Sequence, residues 1–170
     1  QEKGERVMKK YLRSPQIVNI ELTTICPWKC PQCYKKIKGI EEKNFEWSRL
    51  QELLVEAKTV GVRKILFSGE PLFYPWIKEA IKLVKKLEME LYISTGGVEI
   101  QDELYDIMTQ LDALYISLNG STEEVNQKSR DGFKAAKRML FEEGSKRELI
   151  GSHVEIMWRT FLNCANLLKM

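Results

Sequence analysis

The sequence predicts an α/β fold built on parallel strands, and two observations carry that reading. Short apolar runs alternate five times with longer amphipathic runs along the 170 residues, and a strand–helix alternation implies parallel strands joined by right-handed crossovers. Three of the apolar runs also end in small, glycine-bearing polar turns, at 68–71, 94–97 and 117–121. Parallel α/β proteins place their active sites at such strand ends.

The elements follow in order. Ile17 to Leu22 reads as the first strand. Trp47, Leu50, Leu54 and Ala57 recur at helical spacing, and Gly61 stops that helix. Arg63 to Phe67 is the second strand, and Ile77, Ala80, Ile81, Val84 and Leu87 form one face of the second helix. Glu90 to Ile93 is the third strand, followed by a helix marked by Leu104, Ile107, Met108 and Leu111. Ala113 to Leu118 is the fourth strand; Phe133, Ala136, Met139 and Leu140 mark the next helix, with Gly144 as its stop. Val154 to Trp158 is the fifth strand, and Phe161, Leu162, Ala165 and Leu168 begin a fifth helix. Periodicity leaves open whether the sheet curls toward a barrel or stays an open α/β sheet. There is no low-complexity segment, no interdomain linker and no repeated sequence.

Composition narrows the class. The residues are 44% hydrophobic and 30% charged, the profile of a folded globular domain. The net charge of +3 is weak and its cations are spread along the chain, so charge gives no support to nucleic-acid binding. No apolar run is long enough to span a bilayer. Gln1 to Arg13 is charged and lacks the apolar stretch of a secretory signal, so a cytoplasmic protein is expected. The first residue is not Met, and the chain ends within the fifth predicted helix without a cap. A barrel-like sheet ending there leaves a strand edge open. Residues 1–16 therefore read as an N-terminal extension and 17–170 as a core domain incomplete at its C-terminus.

The loop after the first strand reads Cys26-Pro27-Trp28-Lys29-Cys30-Pro31-Gln32-Cys33-Tyr34. Three thiols so close can wrap one metal centre, and the two prolines stiffen the loop. In a cytosolic chain, four cysteines are no disulfide scaffold. A structural zinc site needs four ligands, and the fourth would be Cys164 or His153, over a hundred residues away. A redox dithiol of Cys30 and Cys33 is a further alternative, but that motif sits at a helix start, whereas this one follows a strand and carries an extra cysteine. A cubane cluster on three cysteines, its fourth iron open to a small ligand, fits better. Plain turn chemistry accounts singly for Ser68-Gly69-Glu70-Pro71, Ser94-Thr95-Gly96-Gly97 and Ser117-Leu118-Asn119-Gly120-Ser121. Taken with a metal loop on the first strand, they read together as one ligand site.

On these residues the chain resembles the radical S-adenosylmethionine enzymes, whose motif is C-x3-C-x2-C after the first strand of a partial (β/α)6, TIM-like barrel. The resemblance runs from Ile17 to Met170 and covers five of the six expected strands. It implies a [4Fe–4S] cluster on Cys26, Cys30 and Cys33. It implies that Ser68, Gly69, Glu70 and Pro71 correspond to the family's G-G-E-P turn, which contacts the methionyl amino group, with Ser68 in place of the first glycine. By the same likeness, Ser94 and Thr95 belong to the cofactor pocket, Ser117 and Asn119 face the ribose, and Arg130 binds the methionyl carboxylate. The plainer reading of Arg130 is a solvated cation at a helix start. Many members carry an aromatic before the third cysteine that packs on adenine; here Gln32 stands there, and Tyr34 and Trp28 are the candidate rings.

A narrower resemblance, on Cys26 to Tyr34, Ile116 to Asn126 and Ser129 to Phe133, is to maturases of nif11-like and proteusin precursor peptides, including tyramine-excising enzymes. The implied activity is reductive cleavage of S-adenosylmethionine to a 5′-deoxyadenosyl radical that takes hydrogen from a ribosomally made peptide, with a flavodoxin or ferredoxin as electron donor. The alternatives are a small-molecule radical enzyme of the deazapurine-synthase kind, a glycyl-radical activase, and a non-catalytic zinc or electron-transfer module. Cys164 reads as a buried helix residue rather than a hydrogen donor, and His153 as a strand-start residue. Lys35-Lys36-Ile37-Lys38 reads as solvated surface or as a patch that attracts an acidic partner.

Overall fold

The structure, a computed structural model, describes residues 14–98, 108–143 and 155–159. Strand β1 is Ile17–Thr23, β2 Lys64–Gly69, β3 Glu90–Thr95, β4 Ala113–Ser117 and β5 Glu155–Arg159. Every predicted strand forms within two residues of its expected bounds. Helix α1 is Tyr34–Lys38, α2 Trp47–Thr59 and α3 Ile77–Lys86, with later helices over Glu123–Gln127 and Phe133–Arg138. The last of these continues as a π-helical turn, Met139–Glu143. The fifth predicted helix, most of the third, Gly144, His153 and Cys164 lie outside the described residues. Met108 and Leu111, from the third, are fully buried.

The five strands run in the order β1-β2-β3-β4-β5, and every neighbouring pair is parallel. This settles what periodicity left open. A doubly wound sheet reverses its strand order midway and covers both faces with helices. An order without reversal sends each crossover over the same face, as in a β/α barrel, and frees the opposite face for the interior.

Alternation along each strand fits that division. Ile65, Phe67, Leu91, Ile93, Leu114 and Ile116 are 0% exposed. They join Leu50 and Leu54 of α2 and Ile81 and Val84 of α3 in one core. The intervening residues, Glu21, Ser68, Tyr92, Ser94 and Tyr115 among them, are only partly covered. In register, Glu21 stands beside Ser68 and Ser94 beside Tyr115, so the inner face carries a polar row. The architecture is a partial barrel of parallel strands with a polar concave face. Among the described residues no helix is long and apolar enough to cross a membrane.

Candidate functional site: a thiol loop over a polar concave face

The cysteine loop is pinned at its base. Thr24 N donates to Lys43 O at 3.0 Å and Phe45 N to Leu22 O at 2.8 Å. The Thr24 hydroxyl donates to Glu41 O at 2.8 Å and accepts from Lys43 N at 2.7 Å. Inside the loop, Cys33 N donates to Cys30 O at 3.1 Å, closing the turn through Pro31 and Gln32. On its far side the loop is tied to the segment before the Phe133–Arg138 helix. Lys29 N donates to Asp131 Oδ2 at 3.2 Å, and Asp131 N donates to Cys30 Sγ at 3.4 Å. Hydrogen bonds to cysteine sulfur tune the potential of any iron–sulfur centre those thiols hold.

One expectation needs correcting. Cys33 is the N-cap residue of α1, so the Cys30–Cys33 pair does sit at a helix start. The short helix escaped the sequence because Tyr34–Lys38 has no apolar repeat. A strand before the motif therefore does not argue against a dithiol; the third cysteine at the same place does. Cys26, Cys30 and Cys33 are unpaired thiols, and all three line one pocket of about 790 Å³. Among the described residues no three His, Cys, Asp or Glu side chains converge as a single metal ion requires. In a [4Fe–4S] cluster each thiolate binds its own iron, so three thiols around one pocket are a donor set such a cluster can use. Burial pushes the Cys26 thiol up; the nearby Glu70 and Cys30 add to this, while the Trp28 backbone N–H and Lys35 oppose it.

The end of β2 builds the opposite wall. Gly69 has φ +91°, and a Cβ there would stand 2.4 Å from Thr23 O, so only glycine fits beside the bulge in β1. Ser68, one residue earlier, has room for its side chain and faces the pocket. Glu70 is 1% exposed. Its carboxylate accepts from Thr95 Oγ1 at 2.6 Å and Gly96 N at 2.8 Å. Burial raises its pKa; the two hydrogen bonds and the Arg130 and Lys35 charges pull the other way.

Of the residues expected at the site, Tyr34, Ser68, Gly69, Glu70, Ser94, Ser117 and Arg130 join the cysteines around the pocket. Thr95, Pro71 and Asn119 do not line it. Thr95 acts behind Glu70, and Pro71 is buried at the start of a 3₁₀ turn. Asn119 is 0% exposed and its amide donates to Ser129 Oγ at 3.0 Å. The turn after β4 thus directs this amide toward Ser129. Asn19 and Glu21 also line the pocket and were missed. Their signal is plain in hindsight: they are the polar partners alternating with Ile20 and Leu22 along β1. Glu21 accepts from the Tyr34 hydroxyl and stands 3.4 Å from Lys35 Nζ. That hydrogen bond is the chief reason the Tyr34 phenol is pushed up to about 12.

A sheet with unreversed strand order, a thiol loop after its first strand and a buried carboxylate after its second define a partial β/α-barrel protein with a cofactor site at its mouth. The Radical SAM superfamily profile matches residues 20–146, and the chain belongs to that superfamily. Its members use a [4Fe–4S] cluster and S-adenosylmethionine, and the donor set here fits both: three free thiols, a buried carboxylate and the Arg130 cation around one pocket.

In sequence, the chain is 29% identical over 126 residues to the PqqA peptide cyclase of Granulibacter bethesdensis, covering 71% of this chain and 33% of that protein. It is 29% identical over 142 residues to the GTP 3′,8-cyclase of Chlorobaculum tepidum, covering 81% of this chain and 41% of that one. In fold it is similar to Streptococcus suis SuiB bound to the precursor peptide SuiA, with TM-score 0.72 at 20% identity, over 93% of this chain and 36% of that one. SuiB bound to S-adenosylmethionine gives TM-score 0.70 at 20% identity, over 85% and 34%. The chain therefore spans less than half the length of each protein it matches here.

Proposed function

We propose that this chain is the cluster- and cofactor-binding part of a radical S-adenosylmethionine enzyme that modifies a ribosomally made precursor peptide. The observation that carries the chemistry is the shared pocket of Cys26, Cys30, Cys33 and the buried Glu70. The three thiols would hold a [4Fe–4S] cluster with one iron open. That group, when bound, supplies the electron that splits S-adenosylmethionine to a 5′-deoxyadenosyl radical. The chain's own residues would bind and orient: Glu70 the ammonium, Arg130 the carboxylate, and the pocket-lining Ser94 and Ser117 the ribose hydroxyls. Thr95 and Gly96 hold the Glu70 carboxylate in place from behind. The polar row on the concave face is the surface that a substrate group would meet beside the cofactor.

Peptide as the substrate class is supported by the sequence similarity to a peptide cyclase and by the likeness to SuiB, whose structure contains a precursor peptide. A flavodoxin or ferredoxin is the expected electron source, because the cluster must receive a single electron. A small-molecule substrate is the second reading, favoured by the similarity to a GTP cyclase over 81% of this chain. The experiment that separates them uses the full-length enzyme, reconstituted anaerobically, with dithionite and S-adenosylmethionine. A change of mass in a precursor peptide encoded beside the enzyme supports the first reading. Unchanged peptide, with turnover of a nucleotide instead, supports the second.

A further inference from the structure

Of the three lysines on α1, one is turned inward. Lys36 and Lys38 are exposed, as is Ile37 between them. Lys35, two residues after Cys33, behaves differently: its side chain is 12% exposed, and it lines the pocket together with the three cysteines. Its ammonium stands 3.4 Å from Glu21 Oε1. Glu21, on the concave face of β1, is itself fixed. Its Oε2 accepts from the Tyr34 hydroxyl, and a Cβ on Gly69 would stand 3.0 Å from its Cγ, so the side chain packs directly against the end of β2. The two carboxylate oxygens thus hold two successive residues of α1. The result is one placed cation and one placed anion in the wall of the thiol pocket.

The plainer role of this pair is a tether between α1 and β1. A tether does not require a lysine drawn out of water, because a single carboxylate repays the lost hydration only in part. The Lys35 charge also reaches the groups of the pocket. It works against burial at both the Cys26 thiol and the Glu70 carboxyl, favouring their ionised forms. A [4Fe–4S] cluster on three thiolates gains one negative charge on reduction, and its potential follows nearby charge, hydrogen bonds to sulfur and exposure. A cation held in the pocket wall stabilises that added charge, and an anion opposes it. Lys36 and Lys38 stand in water and are screened.

We propose that the Glu21–Lys35 pair sets the reduction potential of the cluster held by Cys26, Cys30 and Cys33, Lys35 raising it and Glu21 lowering it while keeping Lys35 in place. This rests on the function proposed above. The step concerned is transfer of one electron from the donor protein to the oxidised cluster, and no bond forms or breaks in it. Both side chains act through charge and touch no reacting atom.

The test is an EPR-monitored redox titration of the full-length, anaerobically reconstituted enzyme with dithionite, without S-adenosylmethionine. A unit charge lost from the pocket wall changes the ratio of reduced to oxidised cluster by about tenfold at a given solution potential, or about 59 mV. Lys35→Gln should shift the potential to more negative values by about this amount. Glu21→Gln should shift it the other way, since the amide can still accept from Lys35 and donate to the Tyr34 oxygen. The double variant should return toward wild type. Lys35→Arg, which keeps the charge, and Lys36→Gln, which removes an exposed one, should leave the ratio within about threefold. Iron and sulfide contents are measured on every sample. An unchanged or more positive potential in a fully loaded Lys35→Gln protein overturns the proposal. Shifts of the same sign in the two single variants overturn it in favour of a tether, because loosening the loop has one direction. Should Lys35→Gln load poorly, Glu21→Gln decides: a more positive potential supports the proposal, and an unchanged or more negative one overturns it. A wild-type protein that takes up no iron and sulfide overturns instead the function on which the proposal rests.

Discussion

Replacing Glu70 by Gln separates a carboxylate kept for a ligand from one kept for the fold. Glu70 is 1% exposed, with donors from Thr95 at 2.6 Å and Gly96 at 2.8 Å. Gln preserves the shape and both contacts: its oxygen accepts from Gly96 N, and its NH₂ donates to the Thr95 hydroxyl oxygen. Only the charge is lost. Burial already holds the carboxyl above its ordinary value of 4.5. An acid raised on folding keeps its proton to higher pH in the native chain than in the unfolded one. Its contribution to stability is therefore complete below pH 4.5 and is lost as pH rises through the native value.

The unliganded Glu70→Gln protein should thus lack this decline and melt no lower than wild type at neutral pH. Binding goes the other way, because a ligand ammonium favours the ionised carboxylate. Removing one partner of a buried charge pair costs about 2–5 kcal/mol, or roughly 30- to several-thousand-fold in affinity. In wild type, S-adenosylmethionine affinity should fall as pH drops through the raised Glu70 value. Titration calorimetry from pH 5 to 8, with melting curves on the same samples, reads both effects. A Gln variant that melts clearly lower yet binds S-adenosylmethionine within about threefold of wild type refutes the reasoning.

Other outcomes follow from the same geometry. Gly69→Ala places a Cβ 2.4 Å from Thr23 O at φ +91°, and should cost about 2–4 kcal/mol in denaturant unfolding through combined strain and overpacking. Asn126 is 0% exposed, accepts from Asn119 N at 2.8 Å and donates to Arg130 O at 2.8 Å. Asn126→Ala should lose about 1–3 kcal/mol of stability and raise KM for S-adenosylmethionine more than it lowers kcat, because Arg130 is displaced.

The sheet was legible because one face of each strand is uniformly apolar; Ile65 and Phe67, Leu91 and Ile93, Leu114 and Ile116 repeat the same step. Which way the sheet curls was not legible from periodicity, since strand order is a matter of pairing between distant segments. The Tyr34–Lys38 and Glu123–Gln127 helices were missed because five residues are too few for an apolar stripe to recur. Glu123–Gln127 had only its cap as a signal, Thr122 accepting from Val125 N at 3.3 Å. At the site, spacing exposed the thiols, and a polar turn exposed Glu70. Asn119, expected at the ribose by resemblance, lies two residues beyond the last residue of β4, where its buried amide meets Ser129. The packing of Trp28 against Gly96 and Gly132 is invisible in sequence, because the two glycines lie far from Trp28 and from each other along the chain.

The central claim is that Cys26, Cys30 and Cys33 act together on S-adenosylmethionine through a shared iron–sulfur cluster. The most direct measurement is 5′-deoxyadenosine released by the full-length, anaerobically reconstituted enzyme with dithionite, compared with its Cys30→Ala variant. The account predicts nucleoside formation by wild type, and none by the variant, with iron and sulfide lost together. A wild-type protein that carries zinc without sulfide and releases no 5′-deoxyadenosine would contradict it.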